Sequence, residues 1–120
     1  MVILGIDPGL AIVGYGVLEY EKSRFRVLDF GAIRTPAGMR TEDRLCKIHR
    51  GMNELIDRYR PSEMAVEELF FVKNITTGIS VAEARGVILL AAREKGLNIG
   101  EYTPMQVKQA VTGYGKAVKK

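Results

Sequence analysis

The sequence predicts an α/β domain: a mixed five-stranded sheet flanked by helices. Three β-rich segments fill the first 33 residues, too close together for a helix between them, which predicts an antiparallel meander. From residue 41 onward, segments with helical spacing alternate with short apolar runs, a pattern typical of parallel strands joined by helices. The chain has 120 residues, 47% of them hydrophobic and 27% charged, which fits one folded domain.

The meander is predicted from three runs. The first strand is the apolar run from Met1 to Ile6, and Asp7-Pro8-Gly9 ends it because this tripeptide favours a turn. The second strand covers residues 11–20 and the third covers residues 25–33, with a short polar turn between them. The first strand is apolar without alternation, so we expect it in the centre of the sheet.

Two helices are predicted next. Thr41 is the expected N-cap of a helix over residues 42–59, in which apolar residues recur at helical spacing. Residues 77–95 form the longer helix, which Gly96 ends as the C′ residue. This helix is apolar on more than one face, so it needs cover from the sheet and from a second subunit. We expect Arg85 to lie at one of its solvated positions.

The remaining strands complete the order. Residues 64–71 predict a fourth, buried strand, residues 99–102 a fifth, and Pro104 opens a last helix to about residue 111. The resulting order is β-β-β-α-β-α-β-α. This order is the pattern of the ribonuclease H-like fold, which supports several unrelated chemistries.

Acidic residues at strand ends are the strongest candidates for chemistry. Asp7 follows the first strand, and Glu67 and Glu68 interrupt the apolar fourth strand. Because side chains alternate across a strand, one of the two glutamates faces the same side as Asp7, and the spacing does not say which. Carboxylates from neighbouring strands form an oxygen-rich site that suits Mg²⁺ or Mn²⁺ and metal-assisted phosphodiester hydrolysis. Ordinary turn and edge acids are the structural alternative.

Two regions predict contact with nucleic acid. The aromatic and polar residues that follow the fourth strand can stack on bases or bind phosphates: Phe70, Phe71, Lys73 and Asn74. The last 20 residues hold four lysines and one acidic residue, whereas the first 100 are almost neutral: Lys108, Lys116, Lys119 and Lys120. A core role for the aromatics and a solubilising role for the lysines are the structural alternatives.

Several functional classes are excluded. The longest apolar runs are shorter than a membrane span, and the apolar start is too short for a signal peptide. A single cysteine, Cys46, fits a reducing compartment, so we expect a cytoplasmic protein. The glycine-rich fingerprints of nucleotide binding are absent, and no Ser-His-Asp or Cys-His arrangement can be assembled.

Six short motifs are spread over the chain. They are Ile-Leu-Gly-Ile-Asp-Pro-Gly-Leu (3–10), Gly-Tyr-Gly-Val (14–17), Ala-Val-Glu-Glu-Leu-Phe (65–70), Lys73-Asn74, Ala-Arg-Gly-Val (84–87) and Gln-Val-Lys-Gln (106–109). Together they resemble the RuvC family of bacterial Holliday-junction resolvases. The resemblance covers all 120 residues and keeps the family's order and spacing.

The resemblance implies a homodimeric endonuclease that cuts four-way DNA junctions with paired symmetric nicks, using Mg²⁺ or Mn²⁺. It implies the RuvA/RuvB branch-migration complex as a partner. Asp7 is similar to the family's first metal-binding aspartate. Glu67 is similar to its catalytic glutamate, since that acid precedes the aromatic, here Phe70, by three positions. Phe70 looks like the residue that disturbs base stacking, and Lys108 and Lys119 look like basic positions that contact DNA.

The sequence departs from the family pattern at its end. The family carries further acidic ligands in a final helix, and no Asp or Glu follows Glu101 here. We therefore expect residues 1–120 to form one nuclease domain that is C-terminally incomplete relative to the family. Two alternatives to junction resolution stay open at this point: a related nuclease that acts on structured RNA, and a junction-binding module without cleavage activity.

Overall fold

The computed structural model of the chain describes residues 1–68 and 75–102. Its elements are β1 (Val2–Asp7), β2 (Ile12–Glu21), β3 (Arg24–Arg34), α1 (Thr41–Tyr59), β4 (Glu63–Glu67), α2 (Ile75–Glu94) and β5 (Asn98–Tyr102). β4 ends at Glu67, so the prediction of a strand over residues 64–71 is wrong at residue 68, which lies outside the strand. Residues 69–71 of that predicted strand and the predicted helix over residues 104–111 lie outside the described residues.

The five strands form one mixed sheet in the order β3-β2-β1-β4-β5, which confirms the predicted architecture. β1 pairs antiparallel with β2, and β2 pairs antiparallel with β3, as the predicted meander requires. β4 lies parallel to β1 on one side and to β5 on the other. The carboxyl ends of β1, β4 and β5 therefore meet at one edge of the sheet.

One face of the sheet carries the hydrophobic core. Its strands alternate, so every second residue of β1, β2 and β4 points to the two helices, which pack side by side on this face. The buried side chains are Leu4, Ile6, Val13, Val17, Met64 and Val66 from the sheet, Ile48, Met52 and Ile56 from α1, Ala84, Ile88, Ala91 and Ala92 from α2, and Leu97.

The opposite face of the sheet holds the candidate acids. Asp7 alternates with the buried Leu4 and Ile6 and so points away from the helices. Within residues 1–68 and 75–102, no helix packs on this face, and several of its apolar side chains are open to solvent. Phe30 is the most exposed of them, at 78%.

The structure confirms the predicted C-terminal cap of α2 but not the predicted N-terminal cap of α1. Thr41 is the first helical residue and Arg40 occupies the cap position without a side-chain hydrogen bond, so the predicted Thr41 cap is wrong. Gly96 adopts φ +80°, as predicted. The amides of Gly96 and Leu97 donate to the carbonyls of Arg93 and Ala92, which closes the last turn of α2.

α2 is apolar on both sides, as the sequence predicts. Its buried side faces the sheet and α1, whereas Ile79 and Leu90 on its outer surface are 58% and 56% exposed. This outer surface is available to cover from another subunit. Neither α1 nor α2 combines the length and hydropathy that a membrane-spanning helix needs.

Candidate active site

The structure brings Asp7 and Glu67 together. Asp7 is the last residue of β1 and Glu67 is the last residue of β4. The two strands run parallel with Ile6 opposite Val66, so the two acids are the next neighbours along the same edge. The Asp7 side chain is close enough to hydrogen-bond Glu67, and this contact contributes to a raised pKa of the Glu67 carboxyl. Glu68 lies one residue beyond the strand, so the geometry selects Glu67 as the partner of Asp7.

The surroundings of Glu67 favour its protonated form. The pKa of Glu67 is raised to about 7. Its partial burial is the largest cause, followed by the hydrogen bond with the Asp7 side chain and by repulsion from the Asp7 charge. Near neutral pH, the pair therefore carries less than two full negative charges when no cation is bound. A divalent cation would remove the repulsion that keeps this proton in place.

This raised pKa gives a pH-dependent prediction for the metal-free protein. A carboxyl whose pKa is higher in the folded state than in the unfolded state lowers the free energy of unfolding when it must ionise. This loss is absent below about pH 4.5, the ordinary pKa of the group, and it grows as the pH rises to about 7. We expect Glu67→Gln to raise the free energy of unfolding at pH 8, because glutamine does not ionise, and to leave it unchanged at pH 4. The expected gain is only about 1 kcal/mol, since water screens a partly buried group.

Denaturant unfolding with a chelator present, at both pH values, measures this difference. Asp7→Asn is the matched comparison: it removes the neighbouring charge but not the burial of Glu67, so its gain at pH 8 should have the same sign and be smaller. A Glu67→Gln variant no more stable than the wild type at pH 8 would contradict the assignment.

The sheet surface beside Asp7 is free of bulky side chains because the neighbouring residues of β2 are glycines. Gly14 pairs with Asp7 across the β1–β2 ladder, and Gly16 pairs with Gly5 two residues further along the ladder. A Cβ at Gly14 would lie 3.6 Å from the Cβ of Asp7, and a Cβ at Gly16 would meet nothing within 4 Å. The carboxylates thus lie beside a stretch of exposed backbone at Gly14 and Gly16, where an extended polyanion can approach them.

The donor set fits a hard divalent cation. Mg²⁺ is commonly bound by one or two carboxylates, with water and substrate phosphate in the remaining positions. Asp7 and Glu67 supply two such carboxylates. In the described part of the chain, no group of three His, Cys, Asp or Glu side chains is close enough to hold an ion. The pair therefore leaves coordination positions for water, phosphate or further ligands.

Arg85 supports the Glu67 side of the site, although the sequence placed it in solvent. Its guanidinium forms an ion pair with Glu101 at 2.9 Å, and its side chain is only 17% exposed. Its Nε also donates to the main-chain carbonyl of Glu67 over a long 3.5 Å. Arg85 thus links α2 to the ends of β4 and β5, so the prediction of a solvated position is wrong. No pattern in the sequence signals this link, since it depends on how α2 crosses the sheet.

The predicted DNA-contacting residues lie outside the described residues. They are Phe70, Phe71, Lys73, Asn74, Lys108, Lys116 and Lys119. Their roles stay predictions from the sequence.

Comparison with known proteins adds a family to this geometry. The family model described as "Crossover junction endodeoxyribonuclease RuvC" matches residues 3–120. A protein of that name from Halothermothrix orenii is 57% identical over 119 residues, which is 99% of this chain and 72% of the relative. One from Brevibacillus brevis is 58% identical over 120 residues, which is 100% of this chain and 72% of the relative.

A solved structure also matches. The structure described as T. thermophilus RuvC in complex with Holliday junction substrate aligns with a TM-score of 0.85 at 37% identity, covering 93% of this chain and 72% of that one. The fold, the strand-end acids and the sequence similarity thus agree across nearly the whole chain.

Proposed function

The chain belongs to the RuvC family of crossover junction endodeoxyribonucleases, and on that basis we propose that Asp7 and Glu67 are the metal-binding acids with which it cleaves four-way DNA junctions. Crossover junction cleavage is the activity of the family. The observation that carries the assignment of the two residues is their adjacent placement at the carboxyl ends of the parallel strands β1 and β4. The pKa of Glu67, which is raised to about 7 beside Asp7, supports it. The same observations favour a nuclease over a module that only binds.

The carboxylate oxygens of Asp7 and Glu67 would hold Mg²⁺ or Mn²⁺, since both ions prefer oxygen ligands. When bound, the ion would supply Lewis-acid activation of water and of the scissile phosphate. Both acids must be deprotonated to serve as ligands, so Glu67 would have to give up its proton when an ion binds. The exposed backbone at Gly14 and Gly16 leaves room for the sugar-phosphate backbone of DNA. The strand ends hold the two acids in a fixed orientation.

The contacts with the junction extend beyond the two acids. We assign base-stacking contacts to Phe70 and Phe71 and phosphate contacts to the polar and basic positions, which are Lys73, Asn74, Lys108, Lys116 and Lys119. The exposed Ile79 and Leu90 on α2 support a homodimer, in which two sites make the paired symmetric nicks. The RuvA/RuvB branch-migration complex is the proposed partner by resemblance to the family, and the cytoplasm is the proposed location because bacterial recombination takes place there.

Further protein ligands belong to this proposal. The relatives are longer than this chain, which covers 72% of them. We propose that the nuclease domain of residues 1–120 takes its remaining metal ligands from the part of the family fold that lies beyond it.

A junction-cleavage assay with a cation series tests the proposed function. Full-length protein is mixed with a labelled four-way junction, a linear duplex of the same arms and a structured RNA, each with Mg²⁺, Mn²⁺, Ca²⁺ or a chelator. Native and denaturing gels are run side by side. We expect paired nicks in the junction alone, only with Mg²⁺ or Mn²⁺, and a shifted but intact junction with the chelator. Cleavage of the RNA in preference to the junction would contradict the proposal.

A further inference from the structure

Thr35 is a buried polar residue at the edge of the sheet that carries the acids. It follows β3 and is only 4% exposed. Among the described residues, it is the only polar or charged residue that is buried. Its amide donates to the carbonyl of Ala11 at 2.9 Å. Its hydroxyl donates to the carbonyl of Leu10 at 2.5 Å. Thr35 therefore holds two consecutive carbonyls of the loop that begins directly after Asp7.

Arg44 in the first turn of α1 fixes the orientation of Thr35. Its Nε donates to the Thr35 hydroxyl oxygen at 2.9 Å, and its Nη2 donates to the Thr35 carbonyl at 3.0 Å. A guanidinium has no acceptor, so the hydroxyl must accept from Arg44 and direct its own proton elsewhere. The available acceptor is the carbonyl of Leu10. Arg44 thus sets the direction of the bond that Thr35 makes with the loop.

These bonds form a continuous link from α1 to the catalytic edge. We propose that Thr35 and Arg44 are positioning residues for Asp7, an inference that rests on the proposed role of Asp7 in junction cleavage. The loop of residues 8–11 connects Asp7 to Leu10 and Ala11 within four residues. Fixing the two carbonyls limits how far the end of β1 can turn or shift. A displacement of about 1 Å at a reacting group can cost about 10²-fold in rate.

The chemistry of Thr35 argues against a role in packing alone. Valine has the same shape and would fill the same space without burying a hydroxyl. The threonine instead satisfies the carbonyl of Leu10 and the guanidinium of Arg44, and both would lose a partner if the hydroxyl were removed. All four bonds end on the loop or on Thr35 itself, so their effect is concentrated beside Asp7.

Three variants of the full-length protein test this inference on a four-way junction at saturating Mg²⁺: Thr35→Val, Thr35→Ser and Arg44→Lys. We expect Thr35→Val to lower kcat about 10-fold or more, with KM for the junction within about twofold of the wild type. Thr35→Ser keeps the hydroxyl and should retain kcat within about threefold. Arg44→Lys loses the paired donors and should lower kcat about 10-fold. Arg50→Lys, at an exposed position on the same helix, is the control and should leave kcat unchanged.

Hydrogen exchange of the metal-free protein gives a readout that does not depend on activity. In Thr35→Val and in Arg44→Lys, the amides of residue 35 and of residues 9–12 should exchange at least about 10-fold faster, while the amides of β4 keep their protection. If β4 loses protection to the same degree, the bonds stabilise the fold in general and the inference is overturned.

A wild-type kcat in Thr35→Val would also overturn it. If Thr35→Val does not fold, Arg44→Lys decides: a lower kcat at unchanged KM supports the inference, and an unchanged kcat overturns it. Failure of the proposed function looks different, since an Asp7→Asn variant would then cut the junction normally whatever the exchange of the loop shows.

Discussion

Asp7→Asn is expected to abolish cleavage of a four-way junction and to leave binding of the junction intact. The substitution keeps the size of the side chain but removes the charge that an oxygen-coordinated cation needs. Loss of one charge-stabilising group from an active site typically lowers the rate about 10²–10³-fold. We expect the rate of Asp7→Asn to fall by about 10³-fold or more, because only one of the two described carboxylates would remain to bind the cation. Single-turnover cleavage and native-gel binding, measured on the same preparation, separate the two effects.

Asp43→Asn is the matched control for this prediction. Asp43 is exposed in the first turn of α1, near the same edge of the sheet, so this variant makes the same chemical change outside the acid pair. Its cleavage rate should stay within about twofold of the wild type, since an exposed charge contributes little. An Asp7→Asn variant that cuts as fast as this control would rule out Asp7 as a metal ligand.

Gly9→Ala is expected to reduce both stability and cleavage. A Cβ at Gly9 would lie well inside the van der Waals distance of the Ile12 carbonyl oxygen, a main-chain atom that cannot rotate away. The loop after Asp7 must therefore open, which strains the bonds from Thr35 to Leu10 and Ala11. We expect a loss of about 1–3 kcal/mol in the free energy of unfolding and about 10²-fold in kcat.

Gly38→Ala provides the comparison, because a Cβ at Gly38 meets nothing within 4 Å. It should leave the free energy of unfolding within about 0.5 kcal/mol and kcat unchanged. Thermal or denaturant unfolding and single-turnover cleavage on both variants check the pair. Equal kcat values for Gly9→Ala and Gly38→Ala would show that the tight turn after Asp7 does not position the acid.

Local patterns were sufficient to predict the sheet and to single out Asp7, but they left its partner open between Glu67 and Glu68. The three opening runs are too close together for a helix between them, which leaves the antiparallel meander as the solution. Asp7 and Glu67 each stand at the end of an apolar strand. Parallel neighbouring strands place their carboxyl ends at one edge, so their contact follows once β1 and β4 are adjacent. Alternation alone left Glu67 and Glu68 open, because it does not say where the strand ends.

Residues that connect elements could not be predicted in the same way. Thr35 follows a strand in a Thr-Pro sequence that is typical of a turn, and its burial depends on where α1 begins relative to the loop after Asp7. Arg85 has the sequence context of an exposed helical residue, but α2 crosses the sheet so that this side chain reaches Glu101. The prediction of Thr41 as the N-cap was wrong because Thr41 is already helical and Arg40 occupies the cap position. The helix thus begins one residue earlier than N-cap preferences favour.

Anomalous diffraction from crystals of the metal-free, full-length protein soaked with Mn²⁺ would locate the cation directly. We expect a peak bonded to carboxylate oxygens of both Asp7 and Glu67, with the hydrogen bond between the two side chains broken. Crystals of Asp7→Asn should lack the peak under the same soak. A Mn²⁺ peak elsewhere on the protein, with the Asp7–Glu67 hydrogen bond intact in the wild type, would contradict the assignment of these two residues as the metal-binding acids.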